Sequence, residues 1–358
     1  MLIVSNLFAN AQTNEQKIQS MVDSFYQAYP SAVGIIIHLE SGSKKLSYSY
    51  AAGYADKQLK TPLNTDQPAL TASNTKTYVS AAILKLMEQH QLDINQSIGS
   101  VIHPKTNKKL MNAGYLTDSI TIKQVLSHTS GIADFINDDY FDFVNKNKRY
   151  RWKRDEQITL ATRIGKPLAM PGDTFKYADI NYLLASEIIE NKTKLPFYKG
   201  IAKLLGLKQH GLHSTWFVSL EKKPKQSADL AHQYYDKLGW DSYDLDPSWD
   251  LYGGGGVATS TKDLASFFQL LFEGKIIHDP KLIELMYTPV SRQSNYGLGI
   301  RKISLNGYTG YYHGGWWGTD ATYIPELETS IVVFILERGT KGISSEICKK
   351  AIQIIANK

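Results

Sequence analysis

Ser73 and Lys76 stand three residues apart and are the pair in this chain best suited to form an acylation centre. In a helix that begins at or just after Ser73, their side chains lie one turn apart on the same face, with Cβ atoms roughly 5–6 Å apart. A serine hydroxyl is a weak nucleophile at neutral pH and needs a neighbouring base. A lysine serves as that base only if burial or nearby positive charge, such as the helix dipole, lowers its pKa. The spacing therefore predicts a serine nucleophile with a lysine base; a capping serine beside a solvated lysine is the alternative.

Two further segments carry side chains that could complete such a centre. Tyr177-Ala178-Asp179 follows a polar loop, and a tyrosine beside a lysine ammonium has its phenolate favoured, so Tyr177 could exchange protons with Ser73. His313-Gly314-Gly315-Trp316 ends a late strand, where glycines would let a substrate backbone approach closely. Each segment alone predicts little, because an isolated tyrosine is commonly a packing residue and H-G-G is a short motif.

Helix and strand patterns on both sides of these segments predict the framework that must position them. The predicted elements are helices over 15–28, 122–127, 155–163, 181–189 and 261–271, strands over 33–39, 45–51, 296–303, 308–313, 320–324 and 330–336, and a final helix around Cys348. Because strands come from both ends of the chain and the middle is helical, we expect an α+β fold. An antiparallel sheet flanked by helices would be built from residues 12–90 and 245–358, and residues 91–244 would form an inserted all-helical lobe.

The composition is that of an ordinary globular protein and argues against several classes of function. Hydrophobic residues make up 42% of the 358 residues and charged residues 21%, and the net charge of +6 does not argue for nucleic-acid binding. The one cysteine, Cys348, excludes an internal disulfide and makes a cysteine-based zinc site implausible. His210 and His213 have metal-compatible spacing but no third ligand, and the glycine run from Gly253 lacks the G-K-[ST] of a phosphate loop. We expect no metal and no cofactor.

The first eleven residues carry a mixed targeting signal. Apolar residues and the triplet Ala9-Asn10-Ala11 fit the end of a signal peptide, whereas there is no basic n-region and the apolar run is interrupted. We interpret residues 1–11 as a truncated signal peptide and expect export to the periplasm or cell envelope; a cytoplasmic protein with a frayed N-terminus is the alternative. No apolar run in the sequence reaches the ~18–20 residues of a membrane span.

In this order, S-x-x-K, Y-x-N/D and K/H-x-G resemble the serine β-lactamase and penicillin-binding protein superfamily. The resemblance covers nearly the whole chain beyond the first residues. Further matching segments are VLSHTSG at 125–131, YADINYLL at 177–184, GGGVATS at 254–260 and YGLG at 296–299. They are similar to the branch containing class C β-lactamases, D-Ala-D-Ala carboxypeptidases, D-aminopeptidases and family VIII esterases. That branch places an antiparallel sheet with flanking helices beside an all-helical lobe, with the active site between them, in agreement with the fold expected above.

The resemblance implies a role for each matching catalytic position. Ser73 would be the nucleophile and Lys76 its base, and Tyr177 would shuttle protons through acylation and deacylation. Asp179 would hold Lys76 and a substrate amide. For His128, in the S-H-T-S-G segment, we expect a structural role that ties a loop to a helix start.

The resemblance also implies how the late strand would bind substrate. His313 would line the cleft, and the edge formed by His313, Gly314, Gly315 and Trp316 would pair with the acyl-side amide of a peptide or lactam. The backbone N–H groups of Ser73 and Trp316 would form the oxyanion hole, where the loss of one donor typically costs ~10²–10³ in kcat.

Two departures from the usual family pattern bear on the activity. Asp179 stands where many members carry asparagine, and its carboxylate would stabilise the charged form of Lys76. His313 stands where typical β-lactamases carry lysine, and a neutral histidine grips a carboxylate more weakly than a permanent cation. We therefore expect a peptidase or carboxypeptidase acting on D-amino acid substrates. The alternatives are a class C-like β-lactamase, a family VIII-type esterase, or a non-catalytic sensor of cell-wall fragments.

A strongly basic segment, residues 146–154, interleaves six cations with Tyr150 and Trp152. Such a pattern can bind nucleic acid or acidic polymers, but a solvated face of the helical lobe is the simpler interpretation. We expect a small-molecule or peptide substrate as the partner, with peptidoglycan-derived fragments among the candidates, and no nucleic acid. The oligomeric state is not predicted.

Overall fold

The computed structural model describes residues 12–356, so the predicted signal peptide over 1–11 lies outside the described residues. The helices are α1 (Asn14–Ala28), α2 (Thr75–Glu88), α3 (Pro104–Asn112), α4 (Ile122–Leu126), α5 (Asp138–Lys146), α6 (Arg154–Ile164), α7 (Ile180–Thr193), α8 (Phe197–Leu204), α9 (Thr261–Phe272), α10 (Pro280–Tyr287) and α11 (Ile343–Ala356). The strands are β1 (Gly34–Ser41), β2 (Leu46–Asp56), β3 (Thr61–Pro62), β4 (Ala69–Leu70), β5 (Trp216–Phe217), β6 (Tyr234–Tyr235), β7 (Trp240–Asp241), β8 (Val257–Thr259), β9 (Arg301–Leu305), β10 (Tyr308–Gly314), β11 (Thr319–Ile324) and β12 (Thr329–Ile335).

Strands from both ends of the chain form one seven-stranded antiparallel sheet in the order β3-β2-β1-β12-β11-β10-β9. The N-terminal hairpin joins the C-terminal meander through β1 and β12, where Ile37 pairs with Val333. On the other side of β11, His313 of β10 pairs with Ala321. The predicted α+β fold, an antiparallel sheet flanked by helices and built from both termini, is confirmed.

Each face of the sheet is covered by helices, because β1 and β12 are apolar on both faces. One face packs on α1 and α11, with Ile35, Ile37 and Val333 in their shared core. The other face packs on α9 and continues into the core of α2, α4 and α7. Ser260 caps α9 by accepting the Asp263 N–H, as a serine before an apolar helix predicts.

The middle of the chain supplies helices α3 to α8, which fall between residues 104 and 204. Short strands return from this region to the sheet lobe, since β5 pairs with β8 and β8 pairs with β4. The predicted strand over 296–303 is wrong in its first half: Tyr296 makes only an isolated bridge to Arg301, and β9 begins at Arg301. Gly297 and Gly299 break the pairing there, and Gly299 has a positive φ of 76°. Among residues 12–356, no helix is both long enough and apolar enough to span a membrane.

Candidate active site

Ser73 lies in a single 3₁₀ turn, Ala72–Asn74, directly before α2. The preceding Ala72 has a φ of 45°, a left-handed conformation that strains a residue with a Cβ by about 1–3 kcal/mol. The turn leaves Ser73 partly accessible, whereas the first turns of α2 are buried. The backbone therefore presents the hydroxyl at the start of a buried helix, as expected for a nucleophile.

Lys76 is fully buried, and its ammonium group makes three polar contacts. Nζ donates to Ser73 Oγ at 2.9 Å and to the Gly254 carbonyl at 2.6 Å, and it pairs with Asp179 Oδ1 at 2.6 Å. Burial by itself lowers the pKa of Lys76, but the charges of Asp179, Tyr177 and Asp250 together raise that pKa above its ordinary value. Lys76 is therefore an ammonium in the resting protein.

Tyr177 completes this group from the segment that leads into α7. Its ring centroid is 5.0 Å from Lys76 Nζ and 4.2 Å from the ring of His128. Burial raises the pKa of the Tyr177 phenol more than the Lys76 ammonium and the hydrogen bonds with Ser73 and Lys76 lower it. Lys76 favours the phenolate, as expected, but burial and the charge of Asp179 outweigh this effect, so the phenol is protonated in the resting state.

His128 holds the Tyr177 segment in place. Its Nδ1 accepts a hydrogen bond from the Ala178 N–H at 3.2 Å, and its backbone carbonyl accepts one from the Lys176 N–H at 2.9 Å. Burial, then the charge of Lys76, holds the pKa of His128 well below its ordinary value, so the ring is neutral. These contacts tie the loop that follows α4 to the start of α7, which is the structural role expected from the sequence.

His313 is buried near the group but is turned into the protein. Its Nε2 lies 3.0 Å from the Tyr296 hydroxyl and its Nδ1 3.0 Å from the Gly314 carbonyl. Burial, and then the charge of Lys76, lowers the pKa of His313 to about 3. A neutral, internally hydrogen-bonded histidine offers no charge to a substrate carboxylate.

Asn74 and Thr319 lock the nucleophile turn to the start of β11, just after the turn that follows β10. The fully buried Asn74 amide donates to the Thr319 carbonyl at 2.8 Å, and the Thr319 hydroxyl donates to the Thr71 carbonyl at 3.0 Å. The Gly315 N–H donates to the same Thr319 carbonyl at 2.5 Å. Among the described residues, none accepts a hydrogen bond from the Trp316 N–H. The lock thus sets the spacing between the Ser73 turn and the Trp316 N–H, the two predicted sources of the oxyanion hole.

The glycines of β10 serve the packing of the protein itself. A Cβ atom at Gly315 would overlap the Thr71 carbonyl and the Thr319 hydroxyl, and one at Gly314 would overlap the Tyr312 hydroxyl. We expected these glycines to make room for a substrate backbone. Their first requirement is instead the close approach of β10 to the nucleophile turn.

Two carboxylates that sequence reasoning missed join Asp179 to form a carboxylate cluster of Asp134, Asp179 and Asp250. Asp134 accepts hydrogen bonds from the Asp179 N–H at 2.9 Å and the Ile180 N–H at 3.2 Å, so it caps α7. Burial and the charge of Asp179 raise the pKa of both Asp134 and Asp250 to about 7. The sequence did hold a signal for them: Asp134 follows the S-H-T-S-G segment closely, and Asp250 precedes the glycine run.

The glycine run packs closely against Asp179 and Asp250. A Cβ atom at Gly254 would lie 3.2 Å from the Asp179 carboxyl carbon, and one at Gly255 would lie 2.5 Å from the Asp250 carboxylate. Glycine is therefore required at 255, and Asp179 and Asp250 flank consecutive residues of one loop.

An aromatic cluster stands beside the predicted oxyanion donor. The half-buried Trp316 ring stacks on Phe141 with centroids 6.0 Å apart and contacts Trp240 and Trp249 at 5.6 and 5.3 Å. Arg338 lies over the other side, 4.3 Å from the Trp316 ring centroid. Trp240 and Trp249 are buried core residues, whereas Trp316 is half-buried and directly follows Gly315.

Other residues singled out from the sequence lie away from this group. Within residues 12–356, no three or more His, Cys, Asp or Glu side chains are arranged to hold a metal ion, and His213 is exposed. In the basic segment, Lys148 donates to the Gly239 carbonyl at 3.0 Å and Arg154 pairs with Glu190. These cations bind the protein's own groups, and a role in binding an acidic polymer stays a prediction.

A seven-stranded antiparallel sheet, covering helices and a serine–lysine pair that meets Tyr177 define the class of serine hydrolases with the β-lactamase fold. The sequence profile of the family described as Beta-lactamase matches residues 22–343, and the chain belongs to that family.

Known proteins agree with this assignment. Protein flp of Staphylococcus aureus (strain MRSA252) is 30% identical over 263 residues, which are 72% of this chain and 49% of that protein; the chain thus spans about half the length of the curated relatives it matches first. The D-amino acid amidase of Ochrobactrum anthropi SV3 has a TM-score of 0.79 at 21% identity, covering 96% of this chain and 98% of its own. A D-stereospecific amidohydrolase from Streptomyces sp. has a TM-score of 0.75 at 22% identity, covering 92% and 98%. At these identities the two structures support the fold.

Proposed function

We propose that this protein forms an acyl-enzyme on Ser73 and hydrolyses small amides or peptides of D-amino acids. The observation that carries the proposal is the hydrogen bond from the buried Lys76 to the accessible Ser73 hydroxyl, with Tyr177 against both. In this proposal Ser73 attacks the substrate carbonyl, and the N–H groups of Ser73 and Trp316 stabilise the oxyanion. Tyr177, a protonated phenol at rest, is placed to give its proton to the leaving amine.

The surroundings of the nucleophile favour an amide with an apolar acyl side chain. Trp316, which packs on Phe141 and Arg338, leaves part of its indole accessible beside the predicted oxyanion hole. Asp179 replaces a family asparagine and brings negative charge to the acyl side, which suits an amide or amine better than a carboxylate. Two of the solved structures with this fold are a D-amino acid amidase and a D-stereospecific amidohydrolase. Export to the cell envelope stays a prediction.

The β-lactamase alternative is weakened by His313. A dedicated lactamase needs a cation for the lactam carboxylate, and the pKa of His313 is lowered to about 3 by burial. An esterase needs neither an amine-binding group nor a strong general acid, so the esterase alternative is tested by substrate rather than by geometry. The non-catalytic sensor alternative predicts binding or lasting acylation without turnover.

A hydrolysis screen tests the proposal. D-Phenylalanine amide, D-alanyl-D-alanine peptides, p-nitrophenyl butyrate and a chromogenic cephalosporin would be compared for wild type, Ser73→Ala and the surface control Ser43→Ala. We expect Ser73-dependent turnover with the D-amide or D-peptide ahead of its L-isomer, and wild-type rates for Ser43→Ala. Faster turnover of the cephalosporin or of the ester than of every D-amide would replace the proposal by the corresponding alternative. Ser73 labelling without turnover of any substrate would favour the sensor.

A further inference from the structure

Lys76 has no lone pair with which to accept the Ser73 proton. An ammonium has three N–H donors and no acceptor, and all three have partners: Ser73 Oγ, the Gly254 carbonyl and Asp179 Oδ1. Lys76 must therefore lose one proton before it can take the proton of Ser73. A backbone carbonyl is far too weakly basic to accept it, and Ser73 is the group to be deprotonated. Of the three contacts, Asp179 alone can receive a proton.

We propose that Asp179 receives the Lys76 proton during acylation, and that Asp134 and Asp250 are positioning residues whose negative charges favour this transfer. This inference rests on the proposed acylation of Ser73 and adds the destination of the proton. In the step, the Ser73 O–H bond breaks and the Oγ–C bond forms. The Ser73 proton moves to Lys76 Nζ while a Lys76 proton moves to Asp179 Oδ1, and the carbonyl electron pair becomes the oxyanion. When the leaving group departs with the proton of Tyr177, Lys76 returns a proton to Tyr177 and Asp179 returns its proton to Lys76.

The geometry places Asp134 on the backbone of Asp179 and Asp250 beside the glycine loop whose Gly254 carbonyl binds Lys76. Asp134 binds the Asp179 backbone N–H, and Asp250 flanks the same glycine loop as Asp179, one residue further on. Among the described residues, none donates a hydrogen bond to the Asp250 carboxylate, so its charge is not neutralised by a direct partner. A negative charge closer to Asp179 than to Lys76 favours the proton on Asp179 over the proton on Lys76.

The electrostatic balance supports this direction. Asp250 and Asp134 each interact more strongly with the Asp179 carboxylate than with the Lys76 ammonium, and burial followed by Asp179 raises the pKa of both to about 7. The other titratable groups that interact with the cluster carboxylates are Tyr177 and Tyr140. Burial raises the pKa of both phenols. Neither phenol is a base at neutral pH, so the carboxylate cluster is the proton acceptor of the site.

The test measures how fast a fluorophosphonate probe labels Ser73 as a function of pH, in wild type, Asp250→Asn and Asp134→Asn. Asp244→Asn is the matched control, because Asp244 is an exposed aspartate of the same segment. We expect a wild-type labelling rate that rises through pH ~7 and, in each cluster variant, a plateau at least tenfold lower with its midpoint moved to lower pH. Asp244→Asn should match wild type.

Aspartate titrations by ¹³C NMR give a second readout that does not depend on labelling. In wild type at least one aspartate carboxyl should titrate near pH 7, and in Asp250→Asn the remaining cluster carboxyls should titrate at lower pH. If wild type is labelled at Ser73 and both variants keep its rate within twofold and its pH profile, the relay is wrong and the acyl-enzyme proposal survives. If Ser73 of wild type is not labelled, the proposed function itself fails. Should Asp250→Asn not fold, Asp134→Asn carries the same comparison.

Discussion

Replacing Asn74 by alanine should disturb the geometry of the predicted oxyanion hole while leaving the catalytic side chains Ser73, Lys76 and Tyr177 in the protein. The Asn74 amide reaches the Thr319 carbonyl at 2.8 Å, the Thr319 hydroxyl at 3.2 Å and the Thr71 carbonyl at 3.3 Å. An amide nitrogen has two hydrogens, so Asn74→Ala removes two hydrogen bonds. Both carbonyls keep another donor, since the Gly315 N–H and the Thr319 hydroxyl still reach them. At about 0.5–1.5 kcal/mol per bond, the free energy of unfolding should fall by roughly 1–3 kcal/mol.

The catalytic loss should be larger than this loss of stability suggests. Asn74 joins the nucleophile turn to the start of β11, which pairs through its Thr319 carbonyl with the Gly315 N–H, so without Asn74 the Ser73 and Trp316 N–H groups can move apart. We expect kcat to fall by ~10- to 10²-fold, approaching the ~10²–10³ of a lost oxyanion donor, with little change in KM because the effect is confined to the transition state. Asn74→Asp should be worse in both respects, because it buries a carboxylate facing carbonyl oxygens.

The assay pairs steady-state kinetics on the best substrate of the screen with urea unfolding. Asn191→Ala is the matched control, since the Asn191 amide donates at 2.7 Å to the Val101 carbonyl of another segment, far along the chain from the site. It removes one hydrogen bond, so the free energy of unfolding should fall by about 0.5–1.5 kcal/mol while kcat stays at the wild-type value. If Asn74→Ala loses stability but retains wild-type kcat, the lock does not set the oxyanion geometry and the reasoning is refuted.

Three further perturbations have expected outcomes. The pKa of His313 is about 3 in the folded protein, against about 6.5 in the unfolded chain. As pH falls from about 6.5 towards 3, the unfolded chain is protonated first, so the free energy of unfolding should decrease by up to ~5 kcal/mol. His313→Gln should flatten this dependence in urea titrations, and an unchanged slope would contradict the burial argument. Lys76→Met should raise the pKa of the carboxylate cluster further, so its melting temperature should drop as pH rises from about 5 to 8, with roughly 3–5 kcal/mol lost at the upper end; equal loss at both pH values would oppose this. Gly315→Ala should abolish activity and lower stability because its Cβ overlaps Thr319, whereas Gly342→Ala, in open space, should change neither, and a normally active Gly315→Ala would be the contrary result.

The local elements followed from the sequence because their signals are local. Apolar residues at helical spacing predicted α9 over 261–271, one residue short of its observed end, and continuous apolar runs predicted the strands β1 and β12. The predicted strand over 296–303 was wrong at its start because two glycines left the ladder there. Whether a residue pairs there depends on the position of the neighbouring strand, and the hydrophobic periodicity of the segment does not specify that position.

The sequence by itself determined which residues could do chemistry: the spacing of Ser73 and Lys76 places both on one helical face, and the ordered motifs identified the family. Only the tertiary structure decided the charge of each group, because a pKa depends on burial and on neighbours distant in the chain. It made Lys76 an ammonium by bringing Asp179 to 2.6 Å, and it made His313 neutral by burying it. It also brought Asp134 and Asp250 into the same site from separate loops, which no spacing in the sequence could have specified.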